Sequence, residues 1–160
     1  MEATVQLLKT ALSHEFKTMA FYSQAAEITK NDESRMLFLE LSDMESDHIK
    51  HLIEKAKGVS WPEHFDPETY LKDLESSVDE TLSIEETETL KNGDMKAVLE
   101  LSMEIEEETQ KTFQELVEKS ASQEIKEHSK ELAEEEKKQI NSLKSLLSSL
   151  EMDEEDRSAL

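Results

Sequence analysis

The chain contains no cysteine. Disulfides, thiolate catalysis, zinc fingers and iron–sulfur clusters are therefore excluded. Glycine and proline are nearly absent, with two of each in 160 residues. Folds built from strands and tight turns need many of both, so their scarcity points to long helices. Positive charge is short as well: 18 Lys and Arg stand against 39 Asp and Glu, for a net charge of −21. Phosphate binding requires clustered Lys and Arg, so neither nucleic acid nor an anionic membrane surface is an expected partner. No apolar run approaches the length of a membrane span. The first residues are amphipathic rather than continuously apolar, so no signal peptide is read there and a cytoplasmic location is expected.

What remains is a balance of 36% hydrophobic and 36% charged residues. That is enough apolar material for one domain core. Helical periodicity marks four segments, about residues 3–28, 33–57, 95–119 and 122–150. Lys30-Asn31-Asp32, Gly58, Asp94, and Ser120 or Ser122 supply the stops and caps between them. A long connection over about residues 58–94 joins the second segment to the third, and Pro67 suits the first turn of a short helix within it. The other connections are short. The expected architecture is all-α: a four-helix bundle over residues 1–150, made of two helical hairpins joined by one long crossover. Residues 151–160 are read as an acidic tail that frays.

A weak internal repeat relates the hairpins. Glu15-(x5)-Phe21 echoes Glu107-(x5)-Phe113, and Leu41-(x3)-Glu45-(x3)-Ile49 echoes Leu132-(x3)-Glu136-(x3)-Ile140.

Several of the glutamates fall on the wrong face. At about 100° per residue, Leu41, Leu52, Phe38 and Ile49 all lie within roughly 40° of Glu45. Glu136 is centred in the same way among Leu132, Ile140, Leu143 and Leu147, and Glu15 among Leu8, Ala11, Met19, Tyr22 and Ala26. The third helix is less clear, because Glu104, Glu106, Glu107 and Glu108 form an acidic run. The repeat selects Glu107, with Glu104 in reserve. Removing an unpaired carboxylate from water costs several kcal/mol, roughly, so four of them need positive charge nearby. The stripes hold almost no Lys or Arg, which leaves divalent cations, and oxygen ligands with an occasional imidazole suit iron and manganese. His48 follows Glu45 by three residues and shares its face, so the two side chains can reach one centre. His14, His51, His64 and His128 lack a matching glutamate and are read as surface or supporting residues. Tyr22 is close enough to Glu15 to hydrogen-bond it, and Met36, Phe38 and Met44 are expected in the core.

The segment from Glu15 to Tyr22, the Leu41-Ser-Asp-Met-Glu45-Ser-Asp-His48 run, Glu107-(x5)-Phe113 and Leu132-Ala-Glu-Glu-Glu136-Lys-Lys-Gln139 together resemble the four helix motifs of rubrerythrin-related, ferritin-like proteins. The resemblance spans roughly residues 5–57 and 95–150. It implies a site for two iron ions, with manganese or a mixed pair as alternatives, held by Glu15, Glu45, His48, Glu107, Glu136 and Gln139. It also implies chemistry on Fe2+ with O2 or H2O2, of a ferroxidase or peroxidase kind, in which Glu15, Glu45, His48, Glu107 and Glu136 take part. A homodimer is expected on the same ground. Two positions depart from the family pattern. Gln139 stands where a second His is usual, and Gln114 where an aromatic usually follows the Phe. The Cys-ligated electron-transfer module common in the family has no counterpart here, so an external electron donor would be needed. The competing reading is a metal-poor bundle that dimerises or docks another protein.

Overall fold

The computed structural model describes residues 1–77 and 82–159. Residues 78–81, within the expected crossover, and Leu160 lie outside them. Six helices follow in order: α1 (Glu2–Ile28), α2 (Asp32–Lys57), α3 (Pro67–Ser76), α4 (Ile84–Asn92), α5 (Met95–Lys119) and α6 (Gln123–Ala159). No strand occurs among the described residues. No helix among them is long and apolar enough to cross a membrane.

Helix starts follow capping chemistry. The Asn31, Asp66, Ser83 and Asp94 side chains each accept a backbone N–H from the first turn of the helix they precede. Ser122 does the same for α6 through the Ile125 N–H. These bonds satisfy donors that a helix start would otherwise leave orphaned. At the end of α2, the Trp61 indole donates to the Ala56 carbonyl at 2.7 Å, so the first aromatic of the crossover seals an open helix end.

α1 packs against α2 and α5 against α6 as two antiparallel hairpins, and these meet through the α1–α5 and α2–α6 faces. The crossover lies along the outside, with α3 on α1 and α2, and α4 on α1 and α5. α3 begins at Pro67 as the sequence suggests. α4 was not expected, although Ser83 and Glu86 form a reciprocal capping box. The last helix is also longer than expected. α6 continues through residues 151–159, where no Gly or Pro interrupts a run of helix-tolerant residues.

The apolar core divides in two. One cluster gathers Val5, Leu8, Leu12, Phe16, Leu52, Phe113, Leu116, Ile125 and Leu132. The other gathers Phe21, Tyr22, Phe38, Leu41, Leu99, Ile105 and Leu143. Along every long helix a buried glutamate falls between the two sets. Met36 and Met44 do not join either set: they are 63% and 39% exposed on the outer side of α2. Around α2, Met44 lies about 100° and Met36 about 180° from Glu45, so both fall outside the core stripe despite being apolar.

Candidate metal centre

Glu15, Glu45, Glu106 and Glu136 are each 0% exposed, and His48 is 3% exposed. They come from α1, α2, α5, α6 and α2. Glu15, Glu45, His48 and Glu136 each bring one potential ligand atom within 4.8 Å of the others. His48 Nδ1 is the hub of this group. It lies 3.2 Å from Glu15 Oε2, 3.4 Å from Glu136 Oε1 and 3.6 Å from Glu45 Oε2. On the far side of the ring, Nε2 lies 2.5 Å from Oε2 of the half-exposed Glu135.

The electrostatics follow from this crowding. Burial pushes the Glu15 carboxyl well above the usual carboxylate range, and the neighbouring Glu136 and Glu45 push it further. Glu136 is raised to about 7, first by burial and then by Glu45, although His48 pulls the other way. Burial alone would lower His48, but the close approach of the Glu136 and Glu45 carboxylates prevails and raises it to about 10. In the protein alone, one imidazolium thus stands against three carboxyl groups that cannot all ionise cheaply.

A second set adjoins the first. Tyr22 donates its phenol proton to Glu106 Oε1 at 2.5 Å. The ionised forms of Glu45, Glu136 and Glu15 all act on that phenol, after burial itself, to hold it well above its usual pKa. Gln139 is 1% exposed, and neither of its amide atoms has a hydrogen-bond partner. Glu15 Oε1, Glu106 Oε2 and both carboxylate oxygens of Glu45 and Glu136 are in the same condition. Buried polar atoms are ordinarily paired, so this concentration of unpaired oxygens in one layer has to be explained.

The Rubrerythrin family model matches residues 6–147 of the chain. The chain belongs to the rubrerythrin family. Neither the curated proteins nor the solved structures contain a match to it.

Of the residues expected in the site, the fold brings together Glu15, Glu45, His48 and Glu136, and buries Gln139 beside them. It does not bring in Glu107 or Glu104; both are exposed on α5. Glu106 takes the buried position. The sequence reading missed it because the inner stripe of α5 is partly polar. Leu99, Ser102, Glu106, Thr109, Phe113 and Leu116 form that stripe. Ser102 and Thr109 can be buried because their hydroxyls donate to the carbonyls of Val98 and Ile105, four residues back. A usable signal was present. Glu106 lies 91 residues after Glu15, Glu136 lies 91 after Glu45, and Gln139 lies 91 after His48. The motif that selected Glu107 requires 92 and is out of step with the others. Tyr22 likewise pairs with Glu106 rather than with Glu15.

Proposed function

We propose that the carboxylate layer holds one or two divalent transition-metal ions, iron foremost with manganese as the alternative, and that the protein handles Fe2+ together with O2 or H2O2. The observation carrying this reading is the set of six buried carboxylate oxygens without hydrogen-bond partners, on four helices, around a single imidazole. Glu15, Glu45, Glu136 and His48 Nδ1 would hold one ion. Glu106 and Gln139 would contribute to holding a second. Oxygen donors with one nitrogen suit Fe2+ and Mn2+ better than they suit softer ions. When bound, a pair of such ions supplies a place for both oxygens of a peroxide and a source or sink of electrons.

The chain's own part is to bind, orient and exclude water. The two apolar clusters close the layer above and below. Glu135 fixes the ring of His48 from outside, as carboxylates commonly do for ligating histidines. Tyr22 holds Glu106 by one oxygen and leaves the other free. With no cysteine in the chain, electrons for repeated turnover would come from an external donor. A homodimer belongs to the same proposal, and Met36, Leu39 and Met44, exposed along α2, offer it an apolar contact.

Rapid mixing of the Fe2+-loaded protein with H2O2 tests the reading. Oxidation is expected to be much faster than with a Glu45→Ala, His48→Ala double variant. Equal rates would remove the enzymatic claim.

Gln139 favours a second reading, in which the layer binds metal poorly and the bundle serves to dock another protein. An amide oxygen is a weaker donor than an imidazole nitrogen for these ions. That reading predicts only background iron and manganese in protein purified without chelators.

A further inference from the structure

The interior layer does not account for His128 on α6. It is 7% exposed, and neither ring nitrogen has a hydrogen-bond partner. A buried imidazole with both nitrogens unengaged is costly as a packing element, since its polar atoms lose water and gain nothing. It lines a surface cavity of about 210 Å3 together with Lys55, Glu124, Glu127 and Glu131. Three carboxylates against one ammonium leave that cavity negative. The Glu131 carboxylate, one helical turn on, comes within 3.7 Å of His128 Nδ1. Across the α2–α6 seam stands the exposed His51, with ring centroids 6.5 Å apart and the planes at 81°.

We propose that His51, His128 and Glu131 form a peripheral binding site for a first-row divalent cation, on the surface between α2 and α6 and separate from the interior layer. Two imidazoles and a carboxylate are a donor set suited to Zn2+ and its neighbours. With metal–nitrogen bonds of about 2.0–2.1 Å, the two rings would have to draw closer than they stand here. His51 is exposed and free to make that movement by rotamer adjustment. Burial, above all, lowers the pKa of His128, so its ring is in the neutral, ligating form near neutral pH. The cavity is large enough to keep water on the remaining coordination positions. The site stands apart from the proposal for the interior: His51 also lines the neighbouring cavity floored by His48, but contributes nothing to the carboxylate layer.

Zn2+ is the probe, and the imidazole resonances of the five histidines in NMR spectra of the full chain are the readout. His51 and His128 are expected to shift together with one midpoint. That midpoint weakens by about tenfold or more in His51→Gln and in Glu131→Gln, both exposed positions whose replacement leaves the core untouched. His48 reports the interior independently, and its midpoint is expected to stay where it was in both variants. The proposal is overturned if His128 does not move as Zn2+ is raised, if His51 moves alone, or if His51→Gln leaves the His128 midpoint unchanged.

Discussion

The two hairpins contribute matched halves to the buried layer, and the halves are not equal. The first supplies Glu15, Glu45 and His48; the second supplies Glu106, Glu136 and Gln139 at equivalent positions 91 residues further on. In the first half an imidazole is ringed by carboxylates and fixed from outside by Glu135. In the second half the equivalent residue is an amide that touches no partner, and the equivalent of Glu15 is tied to a phenol. One backbone plan has thus been filled with a strong donor on one side and a weak one on the other. The difference suggests a tight position and a loose one, rather than two alike.

The largest expected effect comes from removing metal altogether. With Mn2+, or Fe2+ without oxygen, at about a hundred times Kd, each bound ion adds about 2.7 kcal/mol to the unfolding free energy. For a chain of this size that is a rise in Tm of roughly 5–10 °C, reversed by chelator. Identical melting curves before and after chelation would mean that neither half binds. The comparison itself is tested by exchanging the unequal residues. His48→Gln should make the first half resemble the second and weaken the tighter ion about 10–100-fold in a calorimetric titration. Gln139→His should do the reverse and strengthen the weaker ion about tenfold. If the two replacements changed the same binding step, the halves would not be separate positions.

The third prediction concerns the metal-free protein. Glu15 and Glu136 are raised in the folded state, so the folded chain holds protons that the unfolded chain has released. Stability therefore rises as pH falls through about 7, the Glu136 value, toward the ordinary glutamate range. His48 acts in the same direction: its contribution is complete below its unfolded pKa of 6.5 and is lost as pH climbs toward about 10. The stripped protein should melt higher near pH 5.5 than near pH 8, with a shallower slope in Glu136→Gln. The loaded protein should show the opposite trend, because ligands must lose their protons to bind metal. A flat profile for the stripped protein would contradict the burial of these groups. The smallest effect belongs to Glu107→Gln, which should change stability by less than about 0.5 kcal/mol and leave metal binding alone. Glu106→Gln should weaken the loose position. Equal effects at 106 and 107 would undo the placement of α5.

Most of the architecture can be read from the sequence. The four long helices begin, and the first three also end, within a few residues of where periodicity and capping residues put them; α6 runs on past residue 150 to Ala159. Three of the four buried glutamates are found because each is flanked on its own stripe by large apolar residues. Glu106 is hidden by a different kind of stripe, in which Ser102 and Thr109 are buried by bonding to their own helix. Apolar periodicity cannot detect such residues. α4 was overlooked because nine residues with two buried positions give little periodic signal, although the Ser83–Glu86 pair announces its start. The exposed Met36 and Met44 show the converse error: an apolar side chain alone points to the core, but both lie at least about 100° around α2 from Glu45 and stay exposed.

The polar layer splits the hydrophobic interior into two lobes, and neither hairpin can complete that layer by itself. Docking one hairpin onto the other is consequently the event that brings like charges together. An ion captured there would act as a clasp across the midline, so amide hydrogen exchange near the middle turns of α1, α2, α5 and α6 should slow together on loading, while the helix ends exchange as before.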